Sequence, residues 1–322
     1  MLTNEDTAMK KKEPIQFNRR NFLQLDSAFV ATTLLLPLAG TKAFGIPNAP
    51  GLNVSIPTKT LNNGLTMPLL GFGTYDLRGQ TCARSVAEAL SAGYRLLDTA
   101  TIYGNEDSVG AGIRNSGVKR EDIFLTSKVW VDDSGYHKAK AAFEVSLRKL
   151  GTEYLDLYLI HRPRGDVKGS WLAMEELYKE GKIKAVGISN FEPDQVAELM
   201  AYANVKPAVN QIETHAFFQQ KTSYDVLRKH DIQTEAWAPF AQGRNGLFTN
   251  ETLTEIGNKY NKTPAQVSLR WHLQRDIVAI PRSSQKAHIL ENLDIFDFEL
   301  SKEDMAMIAD LDLNITQFPE WS

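Results

Sequence analysis

The sequence predicts an α/β protein, a (β/α)8 TIM barrel with an N-terminal β-hairpin cap, and three observations carry that reading. Strand-like and helix-like runs alternate without a missing unit from about residue 69 to residue 292. Four proton-handling side chains, Asp98, Tyr103, Lys128 and His161, stand at or just beyond the carboxyl ends of those strand-like runs. Parallel strands closed into a barrel would bring such ends to one mouth, where barrel chemistry resides. No short repeat period is present, which removes solenoids and propellers.

Each element has its own signal. Residues 59–67 place Asn63-Gly64 between two short strand-like runs, the pattern of a tight hairpin, which would cap the amino-terminal end of the barrel. Strand one is read over 69–73, with a helix over 81–92 that stops at Gly93. Strand two runs 94–98 and leads to a helix over 108–115. Strand three ends at Lys128, and the helix 138–150 stops at Gly151. Strand four covers 155–161, followed by a helix over 170–180 ending at Gly181. Strands five, six and seven fall at 183–188, 207–211 and 232–236, with helices at 193–203 and 220–230 between them. A long loop then precedes helices at 250–260 and 263–274, strand eight at 277–280 and a last barrel helix at 285–292.

Composition bounds the function. The chain has 322 residues, 43% hydrophobic and 23% charged, which suits a globular protein with a full core. A formal charge of −3 gives no support to a general nucleic-acid surface. The single Cys82 forbids an intrachain disulfide and cannot build a thiolate metal site. No metal site is expected, because the six histidines are scattered and no His-x-His follows strand one, which also argues against a metal-dependent barrel hydrolase.

The first 43 residues form a different regime. Asn18-Arg19-Arg20-Asn21-Phe22-Leu23 follows a polar segment with Lys10, Lys11 and Lys12, and precedes a moderately apolar stretch over 25–38. It resembles a twin-arginine export signal, with Ala43 at one cleavage position. The apolar stretch is too short, and too interrupted by Asp26 and threonines, to span a membrane. The reading divides the chain into a signal over 1–43, a proline-containing linker over 44–57 and a barrel over 58–322. It implies passage through the twin-arginine translocase, a periplasmic location and no stable membrane insertion after processing. The alternative is a basic extension on a cytoplasmic protein.

The segment Leu97-Asp98-Thr99-Ala100-Thr101-Ile102-Tyr103-Gly104-Asn105-Glu106 carries two of the four reactive residues. It resembles the aldo-keto reductase motif, and the resemblance continues in order through Thr126-Ser127-Lys128-Val129-Trp130, Asp156-Leu157-Tyr158-Leu159-Ile160-His161, Gly187-Ile188-Ser189-Asn190-Phe191 and Asn210-Gln211-Ile212-Glu213. It ends with Ile280-Pro281-Arg282-Ser283 and Glu291-Asn292, covering residues 58–315 or so. The group of 2,5-diketo-gluconate and aldose reductases is the most similar in pattern.

The resemblance implies reduction of aldehydes or ketones to alcohols with NADPH, Tyr103 acting as general acid. The residue types fit. A phenol is a weak acid at neutral pH, and Lys128 held nearby as an ammonium is expected to lower its pKa. Asp98 would keep the lysine charged, and His161 would polarise the carbonyl oxygen. The chain has no Gly-x-Gly-x-x-Gly turn, so no Rossmann domain is expected. By motif, Thr74, Ser189, Asn190 and Gln211 would hold the nicotinamide end, and Trp237 would stack on it where relatives carry tyrosine. Arg282, Ser283, His288, Glu291 and Asn292 would hold the adenosine phosphate end. His288 stands where a second arginine is usual, which leaves NADH as an alternative.

On the substrate side, Tyr75, Trp130 and Phe240 would line the mouth for a small carbonyl compound. Arg162 stands where many relatives have tryptophan. Two readings of it are open: a cation beside the carbonyl favouring acidic substrates, or a partner in a loop salt bridge. The chain ends soon after the last helix pattern, so an open pocket without a carboxyl-terminal cover is expected. The rival function is a nicotinamide-binding sensor or regulatory subunit on the same barrel.

Overall fold

The computed structural model describes residues 55–321. The export-signal reading, and the linker up to residue 54, lie outside the described residues.

Strands β1 (Thr58–Thr60) and β2 (Thr66–Pro68) pair antiparallel around the Asn63-Gly64 turn, as the sequence predicts. Asn62 Nδ2 pins this hairpin across the barrel floor by donating to Pro207 O (2.9 Å) and Asp231 O (2.8 Å). Eight parallel strands follow. They are β3 (Phe72–Gly73), β4 (Leu96–Asp98), β5 (Phe124–Val129), β6 (Leu157–Ile160), β7 (Val186–Ser189), β8 (Val209–Glu213), β9 (Gln233–Trp237) and β10 (Val278–Ala279). Their spatial order is their chain order. The seam closes where Leu70 bridges Ala279 and Gly73 N–H donates to Pro281 O at 2.9 Å. A Cβ on Gly73 would lie 2.8 Å from Ile280 O, so the seam requires glycine there.

Between the strands run α1 (Gly79–Ala92), α2 (Glu106–Ser116), α3 (Tyr136–Leu150), α4 (Val167–Lys179), α5 (Pro193–Met200) and α6 (Lys221–Lys229). After β9 come α7 (Glu251–Tyr260) and α8 (Pro264–Gln274), and after β10 come α9 (Lys286–Glu291) and α10 (Lys302–Ala309). The helix pattern read from the sequence does not extend to α10, an eight-residue helix whose start is set by a capping box: Ser301 Oγ accepts from Asp304 N–H and Asp304 returns the bond. It also starts α4 three residues late, because the Asp166 side chain already caps the helix through Gly169 N–H.

The strand period of two sorts the interior. Leu96, Phe124, Leu157, Leu159, Val209 and Val278 form the barrel core together with Leu61 and Met67 of the hairpin. Leu97, Leu125, Tyr158, Ile160, Val186 and Ile188, one residue out of phase, pack against the helices. The same alternation carries upward. Asp98 follows the phase of Leu96, Lys128 that of Phe124, His161 that of Leu157 and Leu159, and Gln211 that of Val209. These side chains therefore enter the top of the barrel.

Gly187 is a tight point of this interior, since an added Cβ would meet Leu159 Cδ2 at 2.6 Å and Val209 O at 2.7 Å. Gly187→Ala is expected to lower stability by about 1–3 kcal/mol, read as a reduced midpoint in urea unfolding. An unchanged midpoint would show that β6 and β8 yield to it freely.

Candidate active site

Lys128 is fully buried, and a charge there must be matched by polar partners. Its Nζ lies 2.6 Å from Asp98 Oδ1, donates to Thr99 O at 2.9 Å and reaches Tyr103 Oη at 3.4 Å. Burial acts to lower the lysine pKa. The charge of Asp98, with smaller contributions from Tyr103 and Glu235, outweighs it and leaves the pKa raised. Lys128 is thus held as an ammonium.

Tyr103 comes from the turn after β4, which Gly104 closes at φ 61°. Arg78 donates to the Tyr103 backbone carbonyl, and Asn105 anchors the following residues through Thr74 O and Leu77 O. Here the expected pKa shift is corrected. Burial raises the phenol pKa more than Lys128 lowers it, and Asp98 adds to the rise. The hydroxyl keeps its proton at neutral pH, in a form able to donate it.

His161 lies with its ring edge-on to Tyr103 (centroids 5.7 Å apart) and to Trp130 (5.0 Å). Its Nδ1 is buried without a partner among the described residues, so Nε2 is the nitrogen open to the cavity. Burial, then the charges of Lys128 and Arg162, hold its pKa well below the ordinary histidine value. The imidazole is neutral and can hydrogen-bond a carbonyl oxygen.

These groups open into a cavity of about 610 Å³ at the carboxyl ends of the strands, a size typical of small-molecule sites. Tyr75, Trp130, Phe240, Trp237, Ser189, Asn190, Gln211 and Arg282 all line it. Asn190 is held in the left-handed region at φ 62° just after β7. Its amide donates to His161 O and Ser189 Oγ, and its oxygen accepts from Trp237 Nε1 at 2.8 Å. Thr74 does not line the cavity: it is buried, with its hydroxyl on Asp98 O. Ser283 Oγ accepts from Gln285 N–H at the entry to α9, and Glu291 accepts from Thr263 Oγ1. His288 is exposed and Asn292 buried, and like Ser283 and Glu291 they stand outside the cavity wall beyond Arg282.

Two features escape sequence reasoning. The first is Glu235, fully buried on β9. Gln211 Nε2 donates to both Asp98 Oδ2 and Glu235 Oε2, each at 2.8 Å, tying this carboxyl to the lysine pair. Burial, reinforced by the charge of Asp98, pushes the Glu235 pKa up to about 8. The signal was available: Glu235 lies two residues before Trp237 and shares its inward phase.

The second is the carboxyl-terminal segment, which overturns the open-pocket expectation. Phe318 and Trp321 stack at 4.8 Å, and Trp321 packs against Tyr75 and Trp237 at the mouth. Glu213 anchors the segment by accepting from Thr316 Oγ1 and Gln317 N–H, and Arg244 pairs with Glu320. A few aromatic side chains at the very end of the chain provide the cover, without a long loop.

The aldo/keto reductase family model matches residues 69–313. The glyoxal reductase of Bacillus subtilis (strain 168) is 51% identical over 253 residues, covering 78% of this chain and 91% of that protein. An aldo/keto reductase structure from Brucella melitensis aligns at TM-score 0.77 and 46% identity over 80% of this chain and all of that one. A Bombyx mori aldo-keto reductase solved in complex with NADP aligns at TM-score 0.78 and 32% identity, covering 82% and 95%. The chain belongs to the aldo/keto reductase family, and it is an NAD(P)H-dependent oxidoreductase.

The Glu235 carboxyl yields a pH prediction. Its pKa is raised on folding, so its contribution to stability is full below the ordinary carboxylate value and is lost as pH rises through about 8. Wild-type thermal stability should therefore fall relative to Glu235→Gln between pH 5 and 8.5. Parallel melting curves for the two proteins across that range would count against a protonated Glu235.

Proposed function

We propose that this protein reduces aldehydes and ketones to alcohols with NADPH, Tyr103 giving the proton and His161 holding the carbonyl oxygen. The observation that carries this reading is the buried chain Asp98–Lys128–Tyr103, at 2.6 Å and 3.4 Å, opening beside neutral His161 into one cavity.

The cavity suits a nicotinamide cofactor. Gln211 commits its amide hydrogens to the Asp98 carboxylate and the Glu235 carboxyl group, and no donor among the described residues reaches its oxygen, which is free to accept from a carboxamide. Asn190 and Ser189 supply further polar atoms beside it, and Trp237, fixed by its bond to Asn190, offers a rigid stacking face. Arg282, exposed on the rim and only 3.5 Å from Asp76 in a loose pair, suits the 2′-phosphate of NADPH. Ser283, His288, Glu291 and Asn292 are assigned to the adenosine side by their place beyond Arg282. NADPH, when bound, supplies the hydride that reduces the carbonyl carbon.

The chain's own residues do the rest. His161 Nε2–H donates to the carbonyl oxygen and fixes the carbonyl's orientation. As negative charge grows on that oxygen, Tyr103 Oη passes its proton to it, leaving an alcohol and a phenolate. Lys128 stabilises the phenolate, and Asp98 keeps Lys128 charged. Tyr75, Trp130 and Phe240 form the apolar walls that exclude water from the reacting atoms.

Tyr103→Phe removes the acid while leaving the ring in place. Carbonyl reduction should fall by about 10²–10⁴-fold, while NADPH affinity, read by quenching of tryptophan fluorescence, should stay near wild type. Full reduction by this variant would remove Tyr103 from the chemistry.

A further inference from the structure

The acidic groups lining the cavity, Asp98 and Glu320, are engaged, and so is Glu213, which lies near Arg162 without lining it. Asp98 is taken by Lys128 and Gln211, Glu213 by His215, Thr316 and Gln317, and Glu320 by Arg244. The cations are not matched in the same way. Arg162 and Arg164, on the turn after β6, both line the cavity, and Arg162 is half-buried there. Neither makes an ion pair among the described residues, so the loop salt bridge that would account for Arg162 is absent. The titratable groups Arg162 meets are the like-charged Arg164 on its own turn, the neutral phenol of Tyr103 after β4 and the already engaged Glu213 on β8.

A half-buried guanidinium without a counter-charge is costly, and the cost is relieved when an anion enters. Resting on the reductase reading above, we propose that the substrate is a carbonyl compound carrying a carboxylate, and that Arg162 is the residue that grips it. The fork of Arg162 matches a carboxylate with two parallel N–H donors, while Arg164, exposed at the rim, adds attraction from outside. A single negative charge suits one half-buried cation among walls such as Ile102, Trp130, Val131 and Phe248. A phosphate dianion would bear a larger desolvation cost in the same place. The carbonyl end of such a substrate reaches Tyr103 and His161, which line the same cavity.

Succinic semialdehyde and butanal test this directly, because both are four-carbon aldehydes and only one carries a carboxylate. With NADPH, the wild-type protein should favour succinic semialdehyde in kcat/KM by at least about tenfold. Arg162→Met should remove most of that preference through KM rather than kcat, Arg162→Lys should restore part of it, and raised salt should weaken it. Equal use of the two aldehydes by wild type overturns the proposal, as does a preference that survives Arg162→Met. A wild-type protein that oxidises NADPH with neither aldehyde, nor with any other carbonyl compound, would instead sink the reductase reading on which it rests. A preference for glyceraldehyde 3-phosphate over glyceraldehyde, without one for succinic semialdehyde over butanal, also overturns the carboxylate assignment.

Discussion

A charged lysine in the dry centre of a barrel is the constraint on which the rest of this structure depends. Lys128 has no access to solvent, so its ammonium persists only because Asp98 lies 2.6 Å away and Thr99 O accepts a second hydrogen bond. Asp98 in turn is steadied by Gln211, and Gln211 by Glu235. Removing any one member leaves a neighbour charged or polar without a partner in a medium that penalises it heavily. The network therefore fixes where Tyr103 and His161 stand, through contacts made by residues that need never touch substrate.

Burial moves two pKa values in opposite directions here, and both shifts suit the proposed proton donation. It keeps the tyrosine protonated despite the lysine, and it keeps the histidine neutral, with the charges of Lys128 and Arg162 adding to the effect. One group is left able to give a proton and the other able only to share one. The proposed assignment of acid and polariser rests on position within a single electrostatic field. The mouth above this field is uneven in charge, with Arg282 on one rim, Arg162 and Arg164 on another, and the aromatic pair Phe318–Trp321 leaning in from the end of the chain.

Much of the fold was legible because a closed parallel barrel leaves a strong trace in one sequence. Glycine stops at 93, 151 and 181 mark helix ends, and the strand period of two decides which side chains point inward. Asp98, Lys128 and His161 could be placed at the barrel top from the strand pattern, and Gln211 from the family resemblance. What the sequence withheld was environment. The direction of the Tyr103 pKa depends on how completely the cavity walls exclude water, and spacing along the chain does not encode that. Glu235 carried a readable phase, but it falls outside the residues that the family motif singles out. The terminal residues 316–321 look like a tail, and only their contacts with Glu213, Arg244 and Trp237 make them part of the mouth.

The most direct test of this account is the pH dependence of a single turnover of aldehyde reduction with NADPH bound in advance. With buried Tyr103 as proton donor, the rate should stay level across neutral pH and fall only in the alkaline range, where a phenol held above its ordinary value loses its proton. A rate that instead falls through the ordinary histidine range, near pH 6.5, would mean that an imidazolium supplies the proton, and would contradict the roles given to both residues.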